Sequence, residues 1–225
     1  MRFERIFAWA GGAAFIASLA VLATWLASLG QPHPVGGWRP VAFDAVLFVV
    51  FAAHHSLLAR ASVQDAMRKV CPDRLLRTVY VWTASVLLIL VCWFWQPIGG
   101  QVYLITGWRT LVHTVVGLAG LLLIVLSVRA IDALELAGIR KSHGVSNLQI
   151  VGPYRLVRHP LYLGWMLIVF APANMTGDRL FFAAISSAYL IVAIPWEERS
   201  LEAAYGAAYA AYKRLVRSRV IPYVY

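Results

Sequence analysis

The chain has 225 residues, 61% of them hydrophobic and 13% charged, with a formal net charge of +10. Soluble domains average about 45–50% apolar and about 25% charged residues, so this composition cannot clothe a soluble globule, and it is too apolar for intrinsic disorder. Two cysteines, Cys71 and Cys92, match neither a disulfide framework nor a zinc spacing, which leaves a small polytopic membrane protein.

A helix needs about 20 apolar residues to cross the hydrocarbon core. Residues 6–29 are free of charge and follow Arg2 and Arg5; the run exceeds a signal-peptide core and predicts a retained anchor. A second span is expected at about 41–59, with Asp44 near one end and His54-His55 near the other, a third at 78–98 and a fourth at 111–128. Two shorter runs follow, Leu161–Met175 and Leu180–Trp196, joined by Thr176-Gly177-Asp178, a tight-turn composition. Each is short for a span alone but viable as a helical hairpin packed on the other helices. Residues Glu197–Arg219 alternate charge with Ala, Leu and Tyr, as an amphipathic helix on a membrane surface does. The expected fold is an all-α, polytopic membrane helix bundle of about six transmembrane helices, the last two a short hairpin, plus a C-terminal amphipathic helix.

Basic residues orient the bundle. The connections 30–40, 99–110 and 175–179 hold only Arg39, Arg109 and Arg179, and the other 17 of the 20 Lys and Arg lie on the opposite side. Both termini are therefore expected in the cytoplasm, with the protein integral to the cytoplasmic (inner) membrane. Basic segments facing anionic lipid account for the positive charge, so the expected partner is the lipid bilayer and no nucleic acid. Nine Trp and ten Tyr suit the two interfaces. Nothing in the sequence specifies an oligomeric state.

Polar residues gather on the cytoplasmic side. His54, His55 and Ser56 close the second helix; Asp132, Glu135 and Arg140 follow the fourth; Arg155, Arg158, His159 and Tyr162 precede the fifth; Glu197, Glu198 and Arg199 follow the sixth. Ionisable residues at membrane depth are functional candidates, although residues at helix ends also snorkel to headgroups. Between His159 and Glu197 lie 37 residues. A leg of about 15 residues rises about 22 Å and its partner descends as far, so the hairpin returns the Glu pair to the level of Arg158 and His159. His33, His54, His113 and His143 show no ligand spacing, and no metal is expected.

The segment Gly152-Pro153-Tyr154-Arg155-Leu156-Val157-Arg158-His159-Pro160-Leu161-Tyr162-Leu163-Gly164, followed by Glu197-Glu198, Leu201, Tyr205-Gly206, Tyr209, Tyr212 and Pro222, resembles the C-terminal signature of the isoprenylcysteine carboxyl methyltransferase and phospholipid methyltransferase superfamily. The resemblance implies S-adenosylmethionine as methyl donor, cradled by Ser146, Asn147, Leu148 and Gln149, by Tyr154, by the turn His159, Pro160, Leu161 and Tyr162, and by Glu197. A carboxylate and aromatic faces suit a sulfonium, an ammonium and a ribose diol. On this reading 1–145 carries the N-terminal membrane helices and acceptor-side elements and 146–225 the cofactor-binding signature region, within one integrated domain.

The upstream half is similar to a narrower group. His55-Ser56-Leu57-Leu58-Ala59-Arg60, Arg77-Thr78-Val79-Tyr80-Val81, Phe94-Trp95-Gln96-Pro97-Ile98 and Leu134-Glu135-Leu136-Ala137-Gly138-Ile139-Arg140 resemble methanethiol S-methyltransferases and NnrU-like membrane proteins. This implies a small thiol acceptor, methylated to a thioether. The alternatives are carboxyl O-methylation of isoprenylcysteine, phospholipid N-methylation of a lipidic acceptor, or a non-enzymatic NnrU-like role. Against the prenylcysteine reading, the position where that enzyme places a basic residue for the substrate carboxylate is Ala193. A thiol must also lose a proton, for which His55 and Glu135 are the candidate bases, with Arg140 favouring the thiolate.

Overall fold

The computed structural model describes residues 2–58, 60–69, 71–130, 148 and 150–225. Its helices are α1 (Arg2–Ser28), α2 (Trp38–Leu58), α3 (Ala61–Arg68), α4 (Asp73–Phe94), α5 (Arg109–Arg129), α6 (Pro160–Phe170), α7 (Gly177–Tyr205) and α8 (Ala207–Leu215). Two short strands, β1 (Gln101–Leu104) and β2 (Asn174–Thr176), pair with each other. Five helices (α1, α2, most of α4, α5 and α7) are long and apolar enough to cross a membrane, and α6 is a shorter apolar helix of 11 residues. The chain is an all-α, polytopic membrane helix bundle.

The described residues divide into two compact units. One comprises the chain up to Gly100 together with Thr176–Asp178. Here α1 packs on α4: the Trp82 indole stacks on Phe7 and its Nε1–H donates to the Phe7 carbonyl at 3.2 Å, against the bare flank of Gly11. The segment after α4 is pinned by buried Asp178, whose carboxylate accepts from Trp95 Nε1 at 3.0 Å and from the backbone of Ile98 at 2.9 Å and Gly99 at 2.8 Å. Asp44, fully buried, accepts from the Gln96 N–H at 3.0 Å. A Cβ at Gly99 would lie 2.0 Å from the Pro34 carbonyl oxygen, and its φ is +71°, so this closure requires glycine. Asp44 and Asp178 thus hold backbone amides where water does not reach.

The other unit comprises the described residues among Gln101–Asp132, His143–Met175 and Arg179–Tyr225. Its centre is the crossing of α5 and α6. A Cβ on Gly120 would meet the Gly164 carbonyl oxygen at 2.7 Å, and one on Gly164 would meet that of Gly120 at 2.8 Å. Small residues let membrane helices approach this closely. The imidazole of His113 donates from Nδ1 to the Ala171 carbonyl at 2.8 Å, capping the end of α6. Across from α6, Trp165 Nε1 donates to Ser186 Oγ of α7 at 3.1 Å.

Three boundaries differ from expectation. The segment expected to turn at 176–178 is a strand ending at Thr176, with Gly177 opening α7; Asp178 is occupied by the Trp95 indole and the Ile98 and Gly99 amides rather than by the turn. The second leg of the hairpin is long: α7 runs 29 residues through Pro195 and both glutamates to Tyr205. Proline inside an apolar helix is tolerated there because leaving the helix would orphan many more backbone groups. Finally, the surface helix expected over 197–219 is interrupted at Gly206, with φ +52°, and α8 ends at Leu215. Residues 216–219 are non-helical because their carbonyls serve the site described next.

Candidate functional site

Gly152–Arg155 forms a 3-10 turn entered through Gly152 at φ +57°. It presents Tyr154, whose carbonyl accepts from the Tyr212 hydroxyl at 2.7 Å. The chain then runs beside the segment after α8: Arg158 N donates to Ser218 O at 3.0 Å and His159 N to Arg219 O at 2.8 Å. His159 caps α6 in a non-helical conformation, and buried Pro160 occupies the first helical position, where its missing N–H costs nothing. The RHP sequence is thereby fixed at both backbone and side chain.

The two adjacent glutamates of α7 do different things. Successive helical residues point about 100° apart, and here one faces inward and the other does not. Glu198 is 3% exposed. Its Oε1 accepts from Arg158 Nε at 2.7 Å and lies 3.4 Å from His159 Nε2, and its Oε2 lies 3.6 Å from Arg219 Nε. Arg158, 8% exposed, also donates from Nη1 to the carbonyls of Val216 at 2.8 Å and Arg217 at 2.7 Å. This buried pair ties α7, the RHP turn and residues 216–219 together. Glu197 is exposed, with 44% of its side chain open, and its Oε2 accepts from the Tyr162 hydroxyl at 2.5 Å and lies 3.6 Å from His159 Nδ1.

The His159 ring therefore stands between two carboxylates and stacks on Tyr162, with centroids 5.2 Å apart. Burial outweighs the pull of Glu197 and Glu198 and leaves its pKa below the ordinary 6.5, so the ring is neutral near pH 7. Burial pushes the Tyr154 phenol up to about 12, and the negative charge of Glu197 adds to the shift. Glu197 thus lies within electrostatic or hydrogen-bonding reach of Tyr154, His159 and Tyr162 in a single unit. A carboxylate open to ligand, flanked by a neutral imidazole and phenols, suits a cationic ligand with hydroxyl groups.

Of the residues expected to contribute, Tyr154, His159, Pro160, Leu161, Tyr162 and Glu197 are brought together here. Leu148 packs on the buried cluster of Tyr209, Tyr212 and Val216, the same cluster whose Tyr212 hydroxyl donates to the Tyr154 carbonyl. Ser146, Asn147 and Gln149, and the acceptor-side Glu135 and Arg140, lie outside the described residues. His55 belongs to the other unit. The Tyr80 hydroxyl is 2.7 Å from its Nδ1, and the Arg77 guanidinium lies 5.6 Å over the Tyr80 ring. Its neighbour His54 stacks on Tyr80 at 5.9 Å, and both of its ring nitrogens are buried without a hydrogen-bond partner among the described residues. No group of three or more metal-ligating side chains occurs among the described residues.

Sequence reasoning undervalued Arg158, Glu198 and Arg219. The available signal was helical geometry, because adjacent glutamates on one helix cannot both serve one ligand face. The role of residues 216–219 had no such signal, since it rests on backbone carbonyls.

No family model matches the chain, and no solved structure does. Curated relatives do. It is 33% identical over 196 residues to methanethiol S-methyltransferase 2 of Bradyrhizobium diazoefficiens, covering 84% of this chain and 75% of the relative. It is 32% identical over 200 residues to methanethiol S-methyltransferase of Mycobacterium tuberculosis, covering 84% and 80%. A Nurim homolog of Drosophila melanogaster is 26% identical over 211 residues, covering 84% of this chain and 80% of that protein. With that similarity running over both halves of the sequence and an all-helical membrane fold beneath it, the chain belongs to the family of membrane methyltransferases that includes the methanethiol S-methyltransferases.

Proposed function

We propose that the protein transfers a methyl group from S-adenosylmethionine to a small thiol such as methanethiol. The observation that carries the donor assignment is the division of labour between Glu197 and Glu198: the second is consumed in a buried ion pair, while the first stays open beside His159 and Tyr162. When bound, the donor supplies an electrophilic methyl on a sulfonium. The chain's part is to hold it, through Glu197 to its ammonium or ribose hydroxyls, with the rings of Tyr154 and Tyr162 beside the cation and His159–Leu161 shaping the turn. Ser146, Asn147 and Gln149 complete the cradle in this reading. The relatives' names support the thiol, as does Ala193, which offers an acceptor carboxylate no basic partner. A thiol becomes nucleophilic on losing its proton; His55 or Glu135 accepts it, and Arg140 favours the thiolate. The chain lies in the cytoplasmic membrane with both termini in the cytoplasm.

Calorimetry with S-adenosylhomocysteine on the purified wild type tests the donor site, with saturable binding expected and its absence fatal to the reading. Cysteines introduced at His33 and Trp108 should label from outside intact cells; silence there with labelling at Ser142 would invert the orientation.

A further inference from the structure

The charged groups of the site form a row. His159 lies 3.6 Å from Glu197 Oε2 on one side and 3.4 Å from Glu198 Oε1 on the other, and beyond it Arg219 Nε lies 3.6 Å from Glu198 Oε2. The middle of the row is buried and its two ends are open, Glu197 at one and Arg219, with 36% of its side chain exposed, at the other. Arg158, the second arginine on Glu198, has its donors spent on that carboxylate and on the carbonyls of Val216 and Arg217. Arg219 keeps donors in hand. Its Nε stands beyond hydrogen-bond length from Glu198, its Nη1 donates to the Tyr225 hydroxyl at 3.0 Å, and its Nη2 has no partner among the described residues. The guanidinium is nonetheless held in place, 5.2 Å over the Tyr225 ring, while the Arg219 carbonyl accepts from the His159 N–H at 2.8 Å.

The donor named above carries charges of both signs at its amino-acid end, an ammonium and a carboxylate. The cradle as drawn has one carboxylate, Glu197, and no cation, so the ligand's own carboxylate lacks a counter-charge. A guanidinium with free paired N–H groups matches the two oxygens of a carboxylate. We infer that Arg219 is a further residue of the methyl-donor site, its guanidinium receiving the carboxylate of the S-adenosyl ligand at the end of the row opposite Glu197. The inference rests on the donor assignment and adds to it the segment after α8, with Tyr225 as the residue that positions Arg219.

The test is Arg219→Gln, read by direct or competition calorimetry with S-adenosylhomocysteine and with decarboxylated S-adenosylhomocysteine, which keeps the nucleoside and the ammonium and lacks only the carboxylate. In the wild type the decarboxylated ligand should bind the more weakly of the two, and in Arg219→Gln the gap should close. S-adenosylhomocysteine affinity should fall about tenfold or more, as loss of a charged hydrogen bond predicts. The decarboxylated ligand should bind as well as before or better, since a cation no longer opposes its ammonium. Arg219→Lys keeps a charge beside Glu198, which guards the fold, but offers no planar pair of donors; it should show an intermediate loss for S-adenosylhomocysteine and none for the decarboxylated ligand. Arg214→Gln, which removes an exposed charge from α8, should alter neither affinity. Equal losses for both ligands in the Arg219 variants overturn the inference, because the residue would then act through Glu198 and the fold. Unaltered S-adenosylhomocysteine affinity, with the wild type binding normally, overturns it and leaves the donor site standing. The same selectivity in Arg214→Gln overturns it as well, by tracing the effect to general surface charge. A wild type that binds neither ligand removes the donor reading and this inference together.

Discussion

Arg158→Met removes one partner of an ion pair in which both side chains are 5% exposed. Glu198 would keep only His159, neutral near pH 7 and 3.4 Å away, and Arg219 at 3.6 Å. Stranding one charge of a buried pair costs about 3–5 kcal/mol, a large share of the roughly 5–15 kcal/mol that holds a domain together. The carbonyls of Val216 and Arg217 lose their donor as well; that of buried Val216 adds to the cost, and Arg217 is exposed enough to find water. Glu198→Leu should cost a similar amount by stranding Arg158. In the double variant no charge is stranded, so only the unmade carbonyl bonds persist, about 1–3 kcal/mol. The cycle, measured by denaturation in mixed micelles, should therefore show the double variant more stable than either single one, with strong coupling. Additive effects, each below about 1 kcal/mol, would refute the buried tie between α7, the RHP turn and residues 216–219.

Glu197→Gln should weaken S-adenosylhomocysteine binding by about 1.5–3 kcal/mol with little change in stability, and Tyr162→Phe should weaken it less; equal affinity in both folded variants by calorimetry would dismiss Glu197 as a ligand. Because His159 has a folded pKa below 6.5, the unfolded chain binds the extra proton, so stability should be level above about pH 7 and decline as pH falls below 6.5, a decline absent in His159→Gln. Gly164→Leu should force α5 and α6 apart and lower expression and melting temperature sharply, since even a Cβ there lies 2.8 Å from the Gly120 carbonyl oxygen; an unchanged melting temperature would show the helices free to separate. His55→Gln should cut turnover without changing donor affinity and abolish the acid limb of the pH–rate profile.

Composition made the fold class legible, because apolar runs of spanning length have few alternatives in water or lipid. The ends of those runs were less legible. Thr176-Gly177-Asp178 reads as a turn by local chemistry, yet Asp178 is spoken for by amides some 80 positions away in sequence, a contact no local window contains. Pro195 invites a helix break that an apolar environment suppresses. In the candidate site, the signature segment marked the RHP turn and the Glu pair, and the hairpin geometry matched them in height. What it left open was which glutamate faces outward, a question settled by three-dimensional partners: Arg158 and Arg219 draw Glu198 in, and Tyr162 meets Glu197. Asp44 shows the converse, a charge at membrane depth that looks functional and instead fastens the Gln96 amide.

The most direct measurement of the central claim is incubation of purified protein with methyl-labelled S-adenosylmethionine and, separately, methanethiol, farnesylcysteine and phosphatidylethanolamine, with product identified by mass. The account predicts labelled dimethyl sulfide in the methanethiol reaction, at a rate well above the other two and lost in Glu197→Gln at limiting donor. Label in the farnesylcysteine ester or the lipid amine, with none in a thioether, would contradict it.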